Sequence, residues 1–291
     1  MAVKETVEVG KIKIGGGNPL VLIGGPCVLE EKEINFQIAR DLKEICLELE
    51  IPYIFKASYD KGNRGVNTSY RGPMIEDGLA ELSEIRSEFG LPIVTDVHNE
   101  TEAAKAGKIV DLLQIPAYLC MQTSLIEAAA KTGKPLNIKK GQFLSPFNVS
   151  GIIEKVESFN NDQLMITERG TVFGYNNLVS DFKALPAIRS ANVPVVFDPT
   201  HIIRKPGISS SAPEGGSPEF VPHLTRAAVA SGIDVLFIET HPDPEHARCD
   251  ACSMYPLHHM RELLTQVKAI DTMVKKWDLG LKPKNERGFL K

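Results

Sequence analysis

Four side chains of the chain together offer the donor atoms of a divalent metal site. Cys27, His201, Glu239 and Asp250 carry a thiol, an imidazole and two carboxyl groups. Such a mixed set of sulfur, nitrogen and oxygen donors suits a borderline divalent ion such as Zn, Fe or Mn. The four positions are far apart in the chain, so their spacing alone leaves a second interpretation open. On that interpretation, Cys27 is a small residue buried in the core.

A second set of side chains is cationic, and its members end or follow apolar segments of the sequence. The set comprises Lys56, Lys61, Arg64, Lys139 and Arg169. Arginine can bind two phosphate oxygens at once and lysine adds a compact charge, so several such groups around one pocket favour a phosphorylated, multiply anionic substrate. Ion pairing with Asp96, Asp198 and Glu168 is the alternative, and it would account for only part of the set.

Apolar segments rich in Val, Ile and Leu recur along the chain and alternate with amphipathic ones. The eight apolar segments are residues 19–25, 52–57, 92–97, 110–115, 135–140, 164–169, 194–200 and 234–240. Helical patterns lie between them at 31–50, 77–89, 123–132 and 219–231. Because the apolar segments lack polar alternation, they indicate strands that are buried on both faces, as in parallel βα units.

Eight such strands in 291 residues predict an α/β protein with the (β/α)8 TIM-barrel fold, a single catalytic domain over residues 1–291. An open, doubly wound sheet is the alternative, but no G-x-G-x-x-G motif follows the first strand. Residues 7–14 alternate around Gly10 and predict a short β-hairpin before the barrel. Segment 204–217, rich in Gly, Pro and Ser, is interpreted as a mobile active-site loop, with a disordered surface loop as the alternative.

Polar residues end nearly every predicted strand, and a TIM barrel places its active site at the carboxyl ends of its strands. These residues are Cys27, Lys56, Ser58, Asp96, His98, Gln114, Lys139, Lys140, Glu168, Arg169, Asp198, His201, Glu239 and His241. Burying so many charged groups for structural reasons alone would be costly. The pattern therefore indicates a functional ring in which the metal donors and the cationic set meet.

Composition excludes several classes of function. The net charge is −4, so the chain lacks the basic footprint of a nucleic-acid-binding or polybasic membrane-binding protein. The N-terminus has no apolar signal-peptide region, and no stretch approaches the length of a membrane span. The five cysteines fit reduced thiols better than a disulfide framework. We therefore expect a cytoplasmic enzyme with no nucleic-acid or membrane partner.

A series of short motifs falls at or just after the predicted strand ends. They are FKASYDKGNR (55–64), SYRGP (69–73), IPAYLCMQ (115–122), NIKKGQFLSP (137–146), TERGT (167–171), FDPTH (197–201), FIETHPDP (237–244), Cys249-Asp250 and Pro256-Leu257. Together these motifs closely resemble the 3-deoxy-D-manno-octulosonate 8-phosphate synthase family. The resemblance extends from about residue 21 to about residue 270, and barrel architecture alone would not produce this combination of motifs.

The resemblance implies a reaction and an assembly. The reaction is the condensation of phosphoenolpyruvate with D-arabinose 5-phosphate and water, which gives 3-deoxy-D-manno-octulosonate 8-phosphate and phosphate for lipopolysaccharide biosynthesis. The assembly is a cytoplasmic homotetramer of (β/α)8 barrels. The partners expected on this basis are phosphoenolpyruvate, a phosphorylated aldose and three further copies of the chain.

Residue roles follow from the resemblance position by position. The catalytic residues that it implies are Lys56, Lys61, Asn63, His201 and Asp250. The substrate-binding residues that it implies are Ser58, Arg64, Asp96, Gln114, Lys139 and Arg169. Within this second set, Lys139 and Arg169 are expected on the phosphate and carboxylate of phosphoenolpyruvate, and Asp96 at the acceptor. Asn63 and Arg64 are expected to reach the pentose phosphate near a subunit boundary.

The same family contains metal-dependent and metal-independent members. Metal-dependent members have a cysteine after the first strand, as in Gly25-Pro26-Cys27 here, and the other members have an asparagine there. The resemblance thus implies a divalent metal held by Cys27, His201, Glu239 and Asp250. Cys249-Asp250 is, however, similar to the C-D-G of metal-independent members, with Ala251 in place of the glycine.

Three positions depart from the family's usual residues. Gly65 stands where a serine is usual, Met121 replaces an arginine, and Pro218 replaces a basic residue. These positions are expected to serve the phosphate of the acceptor or a closing loop. Either Arg71 or Arg204 supplies the missing charge, or the acceptor is a different aldose. A 3-deoxyheptulosonate phosphate synthase lacks support because the K-P-R-T-S signature is absent. A barrel that has lost catalysis and only binds an anionic ligand is a third alternative, and the intact Lys139, Arg169, His201 and Glu239 argue against it.

Overall fold

Eight parallel strands close into a barrel in the computed structural model of the protein, which describes residues 1–64, 67–172 and 177–277. The strands in those ranges are β1 (Thr6–Val9), β2 (Ile12–Gly15), β3 (Val21–Gly25), β4 (Tyr53–Lys56), β5 (Ile93–Asp96), β6 (Leu112–Ile115), β7 (Leu136–Lys139), β8 (Leu164–Glu168), β9 (Thr171–Val172), β10 (Leu178–Val179), β11 (Val195–Phe197), β12 (Val235–His241) and β13 (Tyr255–Pro256). The barrel order is β3-β4-β5-β6-β7-β8-β11-β12, and β12 pairs with β3 to close the ring. The barrel prediction is confirmed, and the open-sheet alternative is wrong.

One helix follows each barrel strand and covers its outer face. The helices of the described ranges are α1 (Lys32–Glu48), α2 (Ile75–Phe89), α3 (Glu100–Ala106), α4 (Thr123–Lys131), α5 (Ser150–Ser158), α6 (Ala184–Arg189), α7 (Pro199–Ile202), α8 (Val221–Ala230) and α9 (Met260–Val274). The short helix α7 is additional and lies between β11 and α8. None of the described helices combines the length and the apolar composition that crossing a bilayer requires.

The N-terminal strands β1 and β2 form the predicted hairpin, which packs into the barrel interior. Val7, Val9 and Ile14 are fully buried and belong to the same apolar cluster as the inward-facing residues of the barrel strands. A two-residue turn at Gly10 and Lys11 joins the strands, and Gly10 adopts a φ of 58°, which suits such turns. This apolar cluster leaves the carboxyl ends of the strands as the place for polar chemistry.

Two predicted segments have different ends in the structure. The predicted strand 194–200 ends at Phe197 because Asp198 and Pro199 begin α7, where the Asp198 carboxylate accepts a hydrogen bond from His201 N. The predicted helix 219–231 begins at Val221, since Pro218–Phe220 form a 3-10 turn before it. Both differences reflect proline, which favours the first turn of a helix and lacks the donor that a strand needs.

The predicted loop 204–217 lies against the segment that follows β12. Lys205 N donates to Gly215 O at 2.9 Å, and Cys252 N donates to Ser210 O at 3.3 Å. Gly216 approaches the Cys252 carbonyl so closely that a Cβ there would lie 2.2 Å from the oxygen. The loop therefore borders the residues around Asp250, while its mobility stays a prediction.

Candidate active site

Lys56, the last residue of β4, lies at the centre of a buried polar cluster at the carboxyl end of the barrel. Its Nζ lies 3.3 Å from Asp96 Oδ2 and 3.3 Å from Glu239 Oε1. It also donates to Ser58 Oγ at 3.0 Å and to the Cys27 carbonyl at 3.1 Å. With its side chain 1% exposed, Lys56 links the residues after β3 with β5 and β12.

Gly25, the last residue of β3, permits this arrangement. Its φ is 157°, and a Cβ at this position would lie 2.1 Å from the Lys56 carbonyl oxygen. A side chain there would push β4 away from β3, since a contact this short forces one of the two backbones to move. The residue before Pro26-Cys27 therefore fixes the distance between Cys27 and Lys56.

Asp96, at the end of β5, is a buried carboxylate surrounded by donors. Gln114 Nε2 donates to Asp96 Oδ1 at 2.5 Å, Ser58 Oγ donates to Oδ2, and Lys61 Nζ lies 3.7 Å from Oδ2. Burial alone would raise the pKa of Asp96, but the ammonium groups of Lys56 and Lys61 hold this pKa well below its usual range. Asp96 is therefore an anion that is available to accept hydrogen bonds.

A hydrogen-bond chain continues from Gln114 to two residues that the sequence interpretation missed. Asn137 Nδ2 donates to Gln114 Oε1 at 2.9 Å, and Thr167 Oγ1 donates to Asn137 Oδ1 at 2.7 Å. Each partner sits on the neighbouring strand, from β6 to β8. This series of hydrogen bonds orients the Gln114 amide. Asn137 begins the NIKK motif and Thr167 begins the TERGT motif, so the sequence contained a signal for both residues.

Lys139 ends β7, and Arg169 directly follows the adjacent strand β8. Lys139 Nζ lies 2.8 Å from Asp198 Oδ2 and 3.8 Å from the centroid of the Phe237 ring. Burial lowers the pKa of Lys139, although the Asp198 charge opposes this effect. Arg169 is 8% exposed and has no ion pair within 4 Å among the described residues. The ion-pair interpretation therefore holds for Lys56, Lys61 and Lys139. Arg169 remains available to bind an anionic substrate.

Three of the predicted metal donors, His201, Glu239 and Asp250, form one group, and Cys27 forms a second group with Cys249 and the shared Asp250. His201 Nε2 lies 3.5 Å from Glu239 Oε2 and 3.6 Å from Asp250 Oδ2. Cys27 Sγ lies 3.7 Å from the same Asp250 oxygen. In each group, one donor atom per residue lies within 4.8 Å of the others, which is a spacing that a single ion can bridge.

The charges at these donors favour a cation. Burial alone would raise the pKa of Glu239, but His201 and Lys56 lower it to about 2, so Glu239 is ionised. The Asp250 pKa is also lowered, because His201 and Arg204 outweigh the effects of burial and of the Glu239 charge. A divalent ion fits this donor set, which combines the buried Glu239 carboxylate and the partly buried Asp250 carboxylate with an imidazole and a thiol.

Cys249 is a fifth candidate donor that the sequence interpretation did not assign. Its Sγ lies 2.9 Å from Cys27 Sγ, and Arg64 Nη1 donates to it at 2.9 Å. Cys252, its partner in the C-x-x-C, instead accepts from Arg204 Nη1 at 3.0 Å. The two cysteines therefore have separate environments, and all five cysteines are free thiols.

Arg64 and Arg204 lie close to the predicted metal donor Asp250, whereas Arg71 and Asn63 have no described contact with it. Arg64 Nη1 and Arg204 Nη1 lie 3.8 Å and 3.4 Å from Asp250 Oδ1. Arg71 forms a bidentate pair with Asp60, at 2.8 and 2.6 Å, so it is already neutralised. Asn63 is exposed, and the described part of the chain gives it no hydrogen bond, so its catalytic role stays a prediction.

The three positions that depart from the family pattern lie in different places. Gly65 lies outside the described residues. Met121 is 36% exposed and follows the short turn Ala117–Leu119 after β6. Pro218 lines a groove of about 940 Å³ together with residues of α8, of α9 and of the segment around Cys252.

Three other strand-end residues serve the surrounding structure. His98 Nδ1 lies 2.8 Å from Glu102 Oε2 at the start of α3. His241 Nε2 lies 3.5 Å from Glu30 Oε2. Lys140 donates to the carbonyls of Gly141 and Leu144 at 3.2 and 3.0 Å. None of the three has a described contact with the cluster around Lys56.

Comparison with known proteins assigns the chain to a family. The family model described as the DAHP synthetase I family matches residues 2–276. The chain belongs to this family. Relatives within it include the "2-dehydro-3-deoxyphosphooctonate aldolase" of Geotalea uraniireducens, 48% identical over 94% of this chain and 100% of the relative. Proteins of the same name from Syntrophotalea carbinolica and Alkalilimnicola ehrlichii are 47% and 48% identical over 93% and 90% of this chain, and over 98% and 95% of their own lengths.

Proposed function

We propose that the chain condenses phosphoenolpyruvate with D-arabinose 5-phosphate and water to give 3-deoxy-D-manno-octulosonate 8-phosphate and phosphate. The observation that carries this proposal is the position of Glu239. Its carboxylate lies 3.3 Å from Lys56 Nζ and 3.9 Å from Lys61 Nζ, and also 3.5 Å from Nε2 of the metal donor His201. An anion pocket beside a Lewis-acid site suits carbon–carbon bond formation between a phosphorylated enol and an aldehyde. The name of the relatives, at 47–48% identity, supports the same reaction.

The reaction forms and breaks bonds without net oxidation or reduction, so it needs no redox partner. The methylene carbon of phosphoenolpyruvate forms a bond to the aldehyde carbon, and the aldehyde oxygen takes a proton. Water adds at the neighbouring enol carbon, and the bond from that carbon to the phosphate oxygen breaks. Phosphate leaves and a ketone remains, so the protein must bind two anions and stabilise the charge that moves onto phosphate.

Phosphoenolpyruvate is assigned to the side of the pocket that Lys139 and Arg169 form. These two cations bind its phosphate and carboxylate, and Lys61 lies within reach of the same region through its contacts with Asp96 and Glu239. Because these groups are buried, their charges act in a low-dielectric environment and stabilise the departing phosphate strongly.

The aldose is assigned to the side that Asp96 borders. The Asp96 carboxylate, held by Ser58 and Gln114, accepts hydrogen bonds from hydroxyl groups of the acceptor. We assign the pentose phosphate to Asn63 and Arg64, with Arg204 as an additional cation beside Asp250. This arrangement keeps the two phosphates on separate sets of cations.

A divalent metal is assigned to Cys27, His201, Glu239 and Asp250. Their donor chemistry fits a Zn, Fe or Mn ion, and the spacing of His201, Glu239 and Asp250, with Cys27 Sγ 3.7 Å from Asp250 Oδ2, supports the assignment. When bound, such an ion polarises a carbonyl oxygen or lowers the pKa of a water molecule. The ionised carboxylates of Glu239 and Asp250 supply the negative charge that holds it.

Phosphate release tests the proposed reaction. Purified protein is incubated with phosphoenolpyruvate and a panel of phosphorylated and free aldoses, with and without a chelator. We expect release with D-arabinose 5-phosphate that the chelator suppresses and added Zn²⁺ or Mn²⁺ restores. Release that the chelator leaves unchanged would refute the metal assignment.

A different acceptor aldose is the second candidate, and Met121 is the observation that favours it. This exposed apolar side chain occupies a position where the resemblance expects an arginine for the acceptor phosphate. The same panel decides between the two candidates, since phosphate release with another aldose alone would transfer the acceptor assignment to that sugar.

We further propose that residues 1–291 form one catalytic domain that assembles as a cytoplasmic homotetramer. Tyr118, Phe143 and Phe147 are 46–61% exposed and lie after the adjacent strands β6 and β7. Such exposed apolar side chains suit burial against another subunit. Light scattering on the purified protein measures the mass of the assembly, and a monomer would refute the tetramer.

A further inference from the structure

We propose that Asp198 is a positioning residue that keeps the proton of His201 on Nδ1, so that Nε2 is the metal donor, and that the same carboxylate oxygen holds Lys139. The proposal rests on the proposed function in its assignment of the metal to His201 and of phosphoenolpyruvate to Lys139. The sequence predicts that Asp198 lies in the polar ring and is an ion-pair partner, but it implies no catalytic, substrate-binding or metal-binding role for this residue.

The Asp198 carboxylate is fully buried and lies within 3.1 Å of four nitrogen and oxygen atoms. Oδ1 accepts from His201 N at 3.1 Å and from Thr200 Oγ1 at 2.8 Å. Oδ2 lies 2.8 Å from Lys139 Nζ and 2.7 Å from His201 Nδ1. The His201 backbone N–H and the Lys139 ammonium group can only donate, one to each oxygen, and an ionised carboxylate is the form of this side chain that accepts at both oxygens.

The position of Oδ2 determines which nitrogen of His201 carries the proton. Because Oδ2 can only accept, the neighbouring Nδ1 bears a hydrogen, and the neutral imidazole then has its lone pair on Nε2. That lone pair is on the side of Glu239 and Asp250, 3.5 and 3.6 Å away. A histidine whose second nitrogen donates to a carboxylate is oriented and made more basic as a metal ligand.

Lys139 shares this oxygen, which connects the two halves of the site. Its ammonium group is held 2.8 Å from Oδ2 and lies over the face of the Phe237 ring. Lys139 ends β7 and Asp198 directly follows β11, and these two strands are separated by β8 in the barrel. Asp198 therefore sets the position of a phosphoenolpyruvate ligand and of a metal ligand across an intervening strand.

Asp198→Asn is the variant that separates this role from simple burial of a polar group. The amide oxygen must face His201 N and Thr200, because the NH₂ group cannot accept from them. The NH₂ group then faces Nδ1 and Lys139, so it donates to Nδ1 and moves the imidazole proton to Nε2. The variant thus has nearly the same shape and presents the wrong nitrogen to the metal.

Asp234→Asn is the matched control at the opposite end of the barrel. Asp234 is also buried, at 2% exposure, pairs with Arg189 at 2.9 Å and accepts from Val195 N at 2.8 Å. It precedes β12 and has no described contact with the metal donors. Asp234→Asn therefore removes a buried, paired carboxylate without altering His201.

The first measurement is Zn²⁺ affinity, by competition with a chromophoric chelator. We expect Asp198→Asn to weaken Zn²⁺ binding roughly 10- to 100-fold, as is typical when the carboxylate partner of a ligating histidine is lost. Asp234→Asn should leave the affinity unchanged, even where its melting temperature falls as far as that of Asp198→Asn. Equal Zn²⁺ affinity in wild type and Asp198→Asn would overturn the proposal.

The second measurement is the tautomer of His201 in metal-free protein at about pH 8, where ordinary imidazoles are neutral. Two-bond ¹H–¹⁵N spectra distinguish the tautomers, and a His201→Gln sample identifies the signal. We expect Nδ1–H in wild type and in Asp234→Asn, and Nε2–H in Asp198→Asn. A proton on Nε2 in wild type would overturn the proposal. This measurement on wild type requires neither a folded variant nor enzymatic activity.

Kinetics completes the test for the Lys139 contact. With Zn²⁺ at saturation, Asp198→Asn should raise the KM for phosphoenolpyruvate more than the KM for the aldose, because only the former substrate is assigned to Lys139. An equal rise in both KM values would overturn this part. Wild type that neither binds Zn²⁺ nor releases phosphate would refute the proposed function, while the tautomer would still decide the role of Asp198.

Discussion

The Sγ atoms of Cys27 and Cys249 lie 2.9 Å apart at the carboxyl end of the barrel. One residue follows β3 and the other follows β12, and both thiols are buried. Burial and the neighbouring Cys249 raise the pKa of the Cys27 thiol well above its usual value. Because the thiolate is the form that binds metal, an ion at this site must displace a proton from Cys27, and metal binding should therefore release protons.

Cys27→Ala should abolish the metal-dependent part of turnover, because it removes a donor beside Asp250. Phosphate release after metal loading and metal content after dialysis measure the two effects. Cys46→Ala is the matched control, since Cys46 is equally buried at 2% exposure but lies on α1. Full metal-dependent turnover in Cys27→Ala would contradict the assignment, whereas turnover of Cys27→Asn without metal would make the ion an organiser of the site.

Arg204→Met should raise the KM for the aldose phosphate and leave the KM for phosphoenolpyruvate unchanged. Arg204 Nη1 lies 3.4 Å from Asp250 Oδ1, so its charge is at the acceptor side. The expected rise is roughly 10- to 100-fold, since a hydrogen bond to a charged group contributes about 1.5–3 kcal/mol. Arg71→Met, whose guanidinium is paired with Asp60, is the control and should have no effect. A larger effect from Arg71→Met would reverse the assignment.

Most of the barrel could be predicted because its strands are buried on both faces. Segments such as residues 19–25 and 234–240 are apolar without alternation, and only a parallel sheet covered on both sides accommodates eight of them. The hairpin was predictable for the opposite reason, since alternation around Gly10 leaves one face of β1 and β2 buried. Local patterns therefore determined the elements and their type.

The roles of Asp198 and Cys249 could not be predicted, because they depend on which strands become neighbours in space. Asp198 meets Lys139 across β8, and Cys249 meets Cys27 only because β12 closes the barrel against β3. From the sequence alone, the Asp198 carboxylate and the Cys249 thiol could have many different roles, because the sequence does not show which strands close the barrel. The alternation of side chains along a strand, by contrast, could have predicted that Lys139 and Lys140 have different roles, since successive residues of a strand point to opposite faces.

Lys140→Met should destabilise the fold by about 3–5 kcal/mol, because it leaves a buried carboxylate without its cation. Lys140 is fully buried, with Nζ 3.5 Å from Glu168 Oε2. Burial raises the pKa of Glu168, and the Lys140 charge limits this rise. Denaturant unfolding measures the loss, and adding Glu168→Gln to Lys140→Met should recover part of it. No recovery in the double variant would show that the carbonyl contacts of Lys140 dominate.

Glu102 should stabilise the fold at neutral pH and lose this contribution in acid. Burial alone would raise the pKa of Glu102, but hydrogen bonds from His98 and Tyr59 lower it to about 2. Since the pKa of Glu102 in the unfolded chain is near the usual 4.5 of a glutamate, the unfolded chain binds the proton first as the pH falls. The stabilisation is therefore complete above the unfolded pKa and disappears as the pH falls through the folded pKa of about 2.

Glu102→Gln isolates this contribution from the other carboxylates. The difference in unfolding free energy between wild type and Glu102→Gln should be largest at neutral pH and shrink steadily below about pH 4.5, where the unfolded carboxyl protonates. Glu219→Gln, in the exposed turn before α8, is a control that should show no such pH-dependent difference. Urea unfolding at a series of pH values measures both curves. A difference that grows as the pH falls would mean that the Glu102 pKa is raised in the folded protein, and that its hydrogen bonds with His98 and Tyr59 do not favour the ionised form.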